Sequence, residues 1–122
     1  MQSRAEITLA RAPESARSAR RFVDGVCADW HLTELTPDVA TVASELVENT
    51  LQHTSSTPML SLELRDDVLI VSVSDDDPRG AHIRAADSEG GYGLLMVQQA
   101  ARSWGCTRTE EGGKQVWAEL AA

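Results

Sequence analysis

Residues 36–74 read TPDVATVASELVENTLQHTSSTPMLSLELRDDVLIVSVS, and within them the hydrophobic period changes once. In the first half Val39, Val42, Ala43, Leu46 and Thr50 recur at steps of three and four, which places them on one face of a helix. Thr36 suits its N-cap and Pro37 its first helical position, where a missing N–H is harmless. This helix is expected to end near His53, because Ser55-Ser56-Thr57-Pro58 is turn chemistry. From Met59 the step becomes two. Met59, Ser61 and Glu63 share one face and Leu60, Leu62 and Leu64 the other. In residues 68–74, Val68, Ile70 and Ser72 oppose Leu69, Val71 and Val73. Both faces of that second strand are largely apolar, which predicts a central place in a sheet. Asp66-Asp67 between the two strands reads as a hairpin turn.

Working outward, residues 5–10 alternate as a short strand. Pro13 and Glu14 suit the first turn of a helix over about 14–29, with Ala16, Ala19, Phe22, Val23 and Val26 on one face. Residues 31–35 form a connection. Residues 75–91 are polar and rich in Asp, Arg and Gly, and a loop of that length in a compact domain is usually functional or mobile. A helix is expected from Tyr92 to Ser103, offering Leu94, Leu95, Val97 and Ala101 to the core. Strands over 104–110 and 114–120 flank a hairpin turn at Glu111-Gly112-Gly113. The order β-α-α-β-β-loop-α-β-β predicts an α+β fold, a two-layer α/β sandwich. A chain of 122 residues fits one domain spanning 1–122, with neither internal repeat nor linker.

Composition narrows the function classes. Hydrophobic residues make up 42% and charged residues 25%, as in an ordinary globular core. A formal net charge of −8 opposes binding to nucleic-acid phosphates and anionic lipid, so neither direct nucleic-acid contact nor a membrane partner is expected. Arg11, Arg17, Arg20 and Arg21 read as the solvated face of a helix. Cys27 and Cys106 form no CxxC pair and belong to no group with zinc spacing, so two free thiols are expected. Trp30, Trp104 and Trp117 are read as core residues. No signal-peptide-like run opens the chain and no stretch approaches about 18 apolar residues. A soluble, cytoplasmic protein is the resulting expectation.

Three features carry chemistry. Glu45, Asn49 and His53 stand four apart, stacked along one side of the helix at the edge of its apolar stripe. An Asn there offers a neutral carbonyl oxygen to a hard cation such as Mg²⁺. A Glu one turn earlier can accept a proton from a hydroxyl or water. Asp75 follows directly on a strand, where its carboxylate can accept a hydrogen bond from an exocyclic amine. Gly90-Gly91-Tyr92-Gly93-Leu94 precedes a helix, where glycines allow close backbone approach and free N–H groups suit a phosphate. Each feature alone also fits a plainer role, as a solvated helix face, a turn residue or a flexible turn. No GxxxxGK[ST] occurs, which excludes a P-loop, and the GxG follows a charged loop, which argues against a Rossmann unit.

In this order and spacing the three features resemble the histidine-kinase-like ATPases, whose nucleotide site is the Bergerat fold. That family's pattern is E-x-x-x-N on a helix, D-x-G-x-G after a strand, and G-x-G-L before a helix. It is carried here by Glu45 to Asn49, Asp75, and Gly91-Tyr92-Gly93-Leu94, over residues 8–120. The resemblance implies a mixed sheet covered by helices on one face, with ATP and Mg²⁺ as cofactors. It implies Asn49 as Mg²⁺ ligand, Glu45 as catalytic base toward a Ser or Thr hydroxyl, and Asp75 as partner of the adenine amine. Gly91, Gly93 and Leu94 would lie at the ATP site, with residues 80–90 as a mobile lid.

Within that family the chain looks most like the stand-alone anti-sigma factor serine/threonine kinases of the actinobacterial type. Ser44-Glu45-Leu46-Val47-Glu48-Asn49, Asp75-Asp76-Asp77-Pro78-Arg79, Arg102-Ser103-Trp104-Gly105 and Gly113-Lys114-Gln115-Val116-Trp117-Ala118-Glu119-Leu120 carry this likeness. It implies protein kinase activity on an anti-anti-sigma factor, sequestration of a sigma factor, and a homodimer, for which the residues themselves show no interface. The alternative is a regulator-binding module without phosphotransfer, in which ATP is structural or weakly held. Its motive is the departure from D-x-G-x-G, where Asp77 and Arg79 replace both glycines. Gln115 replaces a threonine expected near the last strand. Arg79, Arg84 and Lys114 are the cations available to offset the three consecutive aspartates.

Overall fold

The computed structural model describes residues 2–77 and 91–122, of which Gln2 and residues 91–95 are described by backbone alone. Among the described residues five strands and three α-helices follow one another as β1 (Gln2–Thr8), α1 (Ser15–Asp29), α2 (Thr36–His53), β2 (Met59–Arg65), β3 (Val68–Asp75), α3 (Gly91–Ala100), β4 (Ser103–Arg108) and β5 (Lys114–Ala121). The sheet order is β1-β2-β3-β5-β4, so β3 is central, as its two apolar faces predicted. Among the described residues every pairing is antiparallel, which corrects the expectation of a mixed sheet. Two of the four pairs are short hairpins, β2–β3 and β4–β5, and a tight turn permits only antiparallel neighbours.

The α+β expectation holds, with α1 and α2 on one face of the sheet. The inward side of β2, β3 and β5 is formed by Leu60 and Leu62, by Leu69, Val71 and Val73, and by Val116, Ala118 and Leu120, all buried. Against them pack Val39, Val42, Ala43, Leu46, Val47 and Thr50 of α2 and Ala19, Val23, Val26 and Cys27 of α1, also buried. Burying each large aliphatic side chain stabilises the fold by roughly 1.5–3 kcal/mol. On the outer face Gln115 donates to the Ser72 hydroxyl at 3.0 Å and Trp117 Nε1 to Thr107 at 3.2 Å. Trp117 is thus half-buried on the sheet's outer side, whereas Trp30 and Trp104 pack partly against the core. Among the described residues no helix is long and apolar enough to cross a membrane.

Element ends depart from expectation for local reasons. Thr36 is helical, with φ −51° and ψ −46°, because a 3₁₀ turn at Thr33–Leu35 runs directly into α2. No side-chain hydrogen bond caps the start of α2. β1 lies earlier than residues 5–10, since its ladder with β2 runs from Gln2 opposite Arg65 to Thr8 opposite Met59. Beyond that point Leu9 N–H reaches Pro58 carbonyl at 2.9 Å, and proline has no N–H to return. α3 stops at Ala100 because Arg102 N–H is taken by the Glu119 carbonyl at 2.8 Å, which starts the β4–β5 ladder. In the β2–β3 hairpin Arg65 pairs with Val68 around a two-residue turn, with Asp66 at φ 52°.

Candidate nucleotide site

The site collects where α2, the end of β3 and the start of β5 meet. Side chains alternate along a strand, so the parity that points Leu69, Val71 and Val73 inward also points Asp75 inward. The same parity on β5 groups Lys114 with Val116, Ala118 and Leu120. Asp75 and Lys114 are direct partners in the β3–β5 ladder. Lys114 Nζ lies 3.1 Å from Asp75 Oδ1, and both side chains are buried, 9% and 1% exposed respectively. A polar pair thus continues the apolar stripe of the core to the strand end.

Oδ1 of Asp75 also accepts the backbone N–H of Asp77 at 2.8 Å. Both lone-pair directions of that oxygen are therefore used. Oδ2 is buried and has no hydrogen-bond partner among the described residues. Among the described residues Oγ1 of Thr50 on α2 is likewise buried without a hydrogen-bond partner. An unmet acceptor of this kind is costly unless a ligand or water completes it. The backbone amide of residue 77 thus fixes the carboxylate that the sequence singled out, a role independent of the side chain carried there.

Two further arrangements hold the strand end. Gly113 is buried and its backbone lies so close to Asp75 that an added Cβ would collide with the Asp75 carbonyl oxygen. The preceding Gly112 takes φ 93°, a conformation that glycine adopts without strain. Gly113 N–H bonds the Thr109 hydroxyl at 3.0 Å and Gly112 N–H the Thr109 carbonyl at 3.1 Å. On the other side, Thr54 at the end of α2 donates to the Thr50 carbonyl, Ser56 N–H bonds the Thr54 hydroxyl, and Asp76 N–H bonds Ser56 Oγ at 2.8 Å. This relay ties the C-terminal end of α2 to the residue after Asp75.

Glu45 and Asn49 lie one turn apart on α2, both half-buried, at the edge of its inward stripe, while His53 is exposed. Burial pushes the Glu45 carboxyl above the usual glutamate range; Glu48 adds to this and Arg20 of α1 opposes it. α2 packs against both β3 and α3. Gly91, Gly93 and Leu94 form the first turn of α3, so the expected turn before a helix is itself helical. The first turn of a helix has N–H groups without intrahelical partners, which keeps the phosphate-facing expectation chemically sound. The expected lid at residues 80–90, with Arg79 and Arg84, lies outside the described residues.

Of the cations proposed to balance the aspartates, Lys114 is the one that the described structure brings to Asp75. Gln115, read as the substitute for a threonine near the last strand, points to the opposite face of β5 and bonds Ser72. Strand parity from the Val116-Ala118-Leu120 stripe already contained this assignment. Among the described residues no cluster of three His, Cys, Asp or Glu side chains is placed to hold a metal ion. A cation here would draw on the Asn49 carbonyl oxygen together with phosphate oxygens, which is the way Mg²⁺ is commonly held.

A family model of the histidine kinase-like ATPase domain matches residues 9–120. Among solved structures, that of the RsbU and RsbW domains of Rv1364c from Mycobacterium tuberculosis matches with a TM-score of 0.70 and 20% identity. The match covers 98% of this chain and 32% of that one. The chain therefore spans about a third of the length of its solved neighbour, and at this identity the likeness is one of fold. No curated protein matches.

Proposed function

Because the chain belongs to the histidine kinase-like ATPase domain family, and membership implies nucleotide binding, we propose that it is an ATP-dependent protein serine/threonine kinase of the anti-sigma factor type. In this reading residues 1–122 act as a single ATP-binding domain. Its substrate is a Ser or Thr hydroxyl on an anti-anti-sigma factor, and it sequesters a sigma factor as a second protein partner. The solved neighbour's RsbW domain is consistent with a partner-switching role.

The observation that carries the proposal is the unmet Oδ2 of Asp75, buried at the end of a strand that packs on the helix bearing Glu45 and Asn49. A buried carboxylate oxygen in need of a donor suits the exocyclic amine of adenine. Asn49 offers a carbonyl oxygen to Mg²⁺. The N–H groups at the first turn of α3, at Gly91 and Gly93, face no intrahelical acceptor and suit phosphate oxygens. Bound Mg-ATP supplies the transferable phosphoryl group. Glu45, held above the ordinary glutamate range by burial, takes the proton of the attacking hydroxyl.

Titration of the purified protein with ATP, with and without Mg²⁺, tests the site. Incubation with labelled ATP and an anti-anti-sigma factor tests the transfer. Failure to bind ATP under either condition overturns the reading. ATP binding without transfer to any such acceptor leaves the chain as a regulator-binding module.

A further inference from the structure

We propose that Lys114 reads the nucleobase together with Asp75, its ammonium donating to ring nitrogen N1 of adenine while Asp75 Oδ2 accepts from the 6-amino group. This inference rests on the ATP-binding reading above and adds to it a specificity residue.

The placement of Lys114 is unusual for a lysine. Lysine side chains ordinarily carry the ammonium to water at the end of a flexible stem. Here the residue lies on the inward face of β5, is almost wholly buried, and ends 3.1 Å from Asp75 Oδ1. Removing both charges from water is costly, and the cost is recovered only when the remaining lone pairs and N–H groups find partners. The pair by itself does not achieve this. Oδ1 is saturated by Lys114 and the Asp77 amide, whereas Oδ2 lacks a donor among the described residues. An ammonium has three N–H donors, and the bond to Oδ1 requires one.

What the pair presents is therefore an unmet acceptor beside a donor with capacity to spare. A group that offers a donor next to an acceptor completes both. The Watson–Crick edge of adenine has this order, an amine at position 6 beside the unprotonated N1. Guanine reverses it, with a carbonyl at 6 and an N–H at 1, which in the same orientation would set acceptor against Oδ2 and donor against Nζ. Asp75 alone would discriminate only at position 6; Lys114 extends the reading to position 1.

Two other arrangements of the same residues have different consequences. If Lys114 only neutralises Asp75, the atom at position 1 is immaterial. If it blocks the carboxylate, its removal strengthens binding. Calorimetry with ATP and with 1-deaza-ATP, in which a C–H replaces N1 without change of shape, separates these. Wild-type protein is expected to bind ATP more tightly than the analogue by on the order of 10- to 100-fold, the effect of one hydrogen bond to a charged donor. In Lys114→Met the two nucleotides should bind alike, at about the wild-type affinity for the analogue. The wild-type comparison needs no substitution, so it stands even if Lys114→Met folds poorly. Equal wild-type affinity for the two nucleotides overturns the inference while leaving the ATP site intact. Tighter ATP binding by Lys114→Met also overturns it. Absence of ATP binding by wild-type protein overturns both this inference and the site on which it rests.

Discussion

Gly113 lies flat against Asp75: a Cβ added to it would collide with the Asp75 carbonyl oxygen and stand 3.0 Å from both the Asp75 carbonyl carbon and the Asp76 Cα. These neighbours are backbone and cannot swing aside. Gly113→Ala is therefore expected to displace the end of β3, with a loss of about 1–3 kcal/mol, typical of overpacking a close contact. Chemical denaturation measures the loss. Because the same shift moves the carboxylate, ATP affinity should fall with it, whereas Gly25→Ala, in the interior of α1 where a Cβ meets nothing within 4 Å, should leave ATP affinity unchanged and raise stability by about 0.5–1 kcal/mol.

The Asp75–Lys114 pair makes a second, independent prediction. Breaking a buried ion pair from one side leaves a charge without its partner, at a cost of about 3–5 kcal/mol. Asp75→Asn and Lys114→Met should each approach that range. The double variant should lose less than the sum of the two by about 1–3 kcal/mol, since contacting residues couple. Urea unfolding of the four proteins in the cycle gives the coupling directly, and additive losses would mean that the two side chains act separately.

Asn49 is half-buried on α2, where its carbonyl oxygen is the neutral ligand proposed for Mg²⁺. Asn49→Ala should remove the Mg²⁺-dependent increment of ATP affinity while leaving the fold unchanged. Isothermal titration with and without the cation reads this. Equal Mg²⁺ dependence in wild type and variant would exclude Asn49 as a ligand.

Glu45 sets a pH dependence whose sign follows from its shift. Burial raises its value in the folded protein above that of the unfolded chain, so the folded state binds this proton more readily. The group's contribution to stability therefore becomes more favourable as pH falls through the folded value toward the ordinary glutamate range, and a penalty persists above it. As a base it works only when deprotonated. Phosphotransfer should accordingly rise with pH through a midpoint above the usual glutamate value. Glu45→Gln should abolish transfer, retain ATP binding, and lose the corresponding pH dependence of stability. Pre-steady-state transfer rates across pH, with melting curves on the same samples, check both halves.

Much of this architecture was legible residue by residue. The stripe Val39, Val42, Ala43, Leu46 and Thr50 is buried as its spacing required, and Leu69, Val71 and Val73 form the inward face of a central strand. Local signals did less well at element ends. Thr36 has cap chemistry, yet the preceding 3₁₀ turn makes it helical. Asp75, Glu45 and Asn49 were recognisable as an ordered set, although no single one of them required a nucleotide site.

What the amino-acid order determined by itself was period: which segments coil, which extend, which face of each is apolar, and that Asp66-Asp67 and Gly112-Gly113 turn the chain. Those properties depend on residues a few positions apart. The partnership of Asp75 with Lys114 was decided only by the tertiary structure. It needs β3 and β5 to pair across 39 positions of sequence in a register that sets these two residues opposite one another. Strand parity told which face each would take. Register came from burying the two apolar stripes against α2 and from the Gly113 backbone seating on Asp75, and neither contact exists until the sheet has formed.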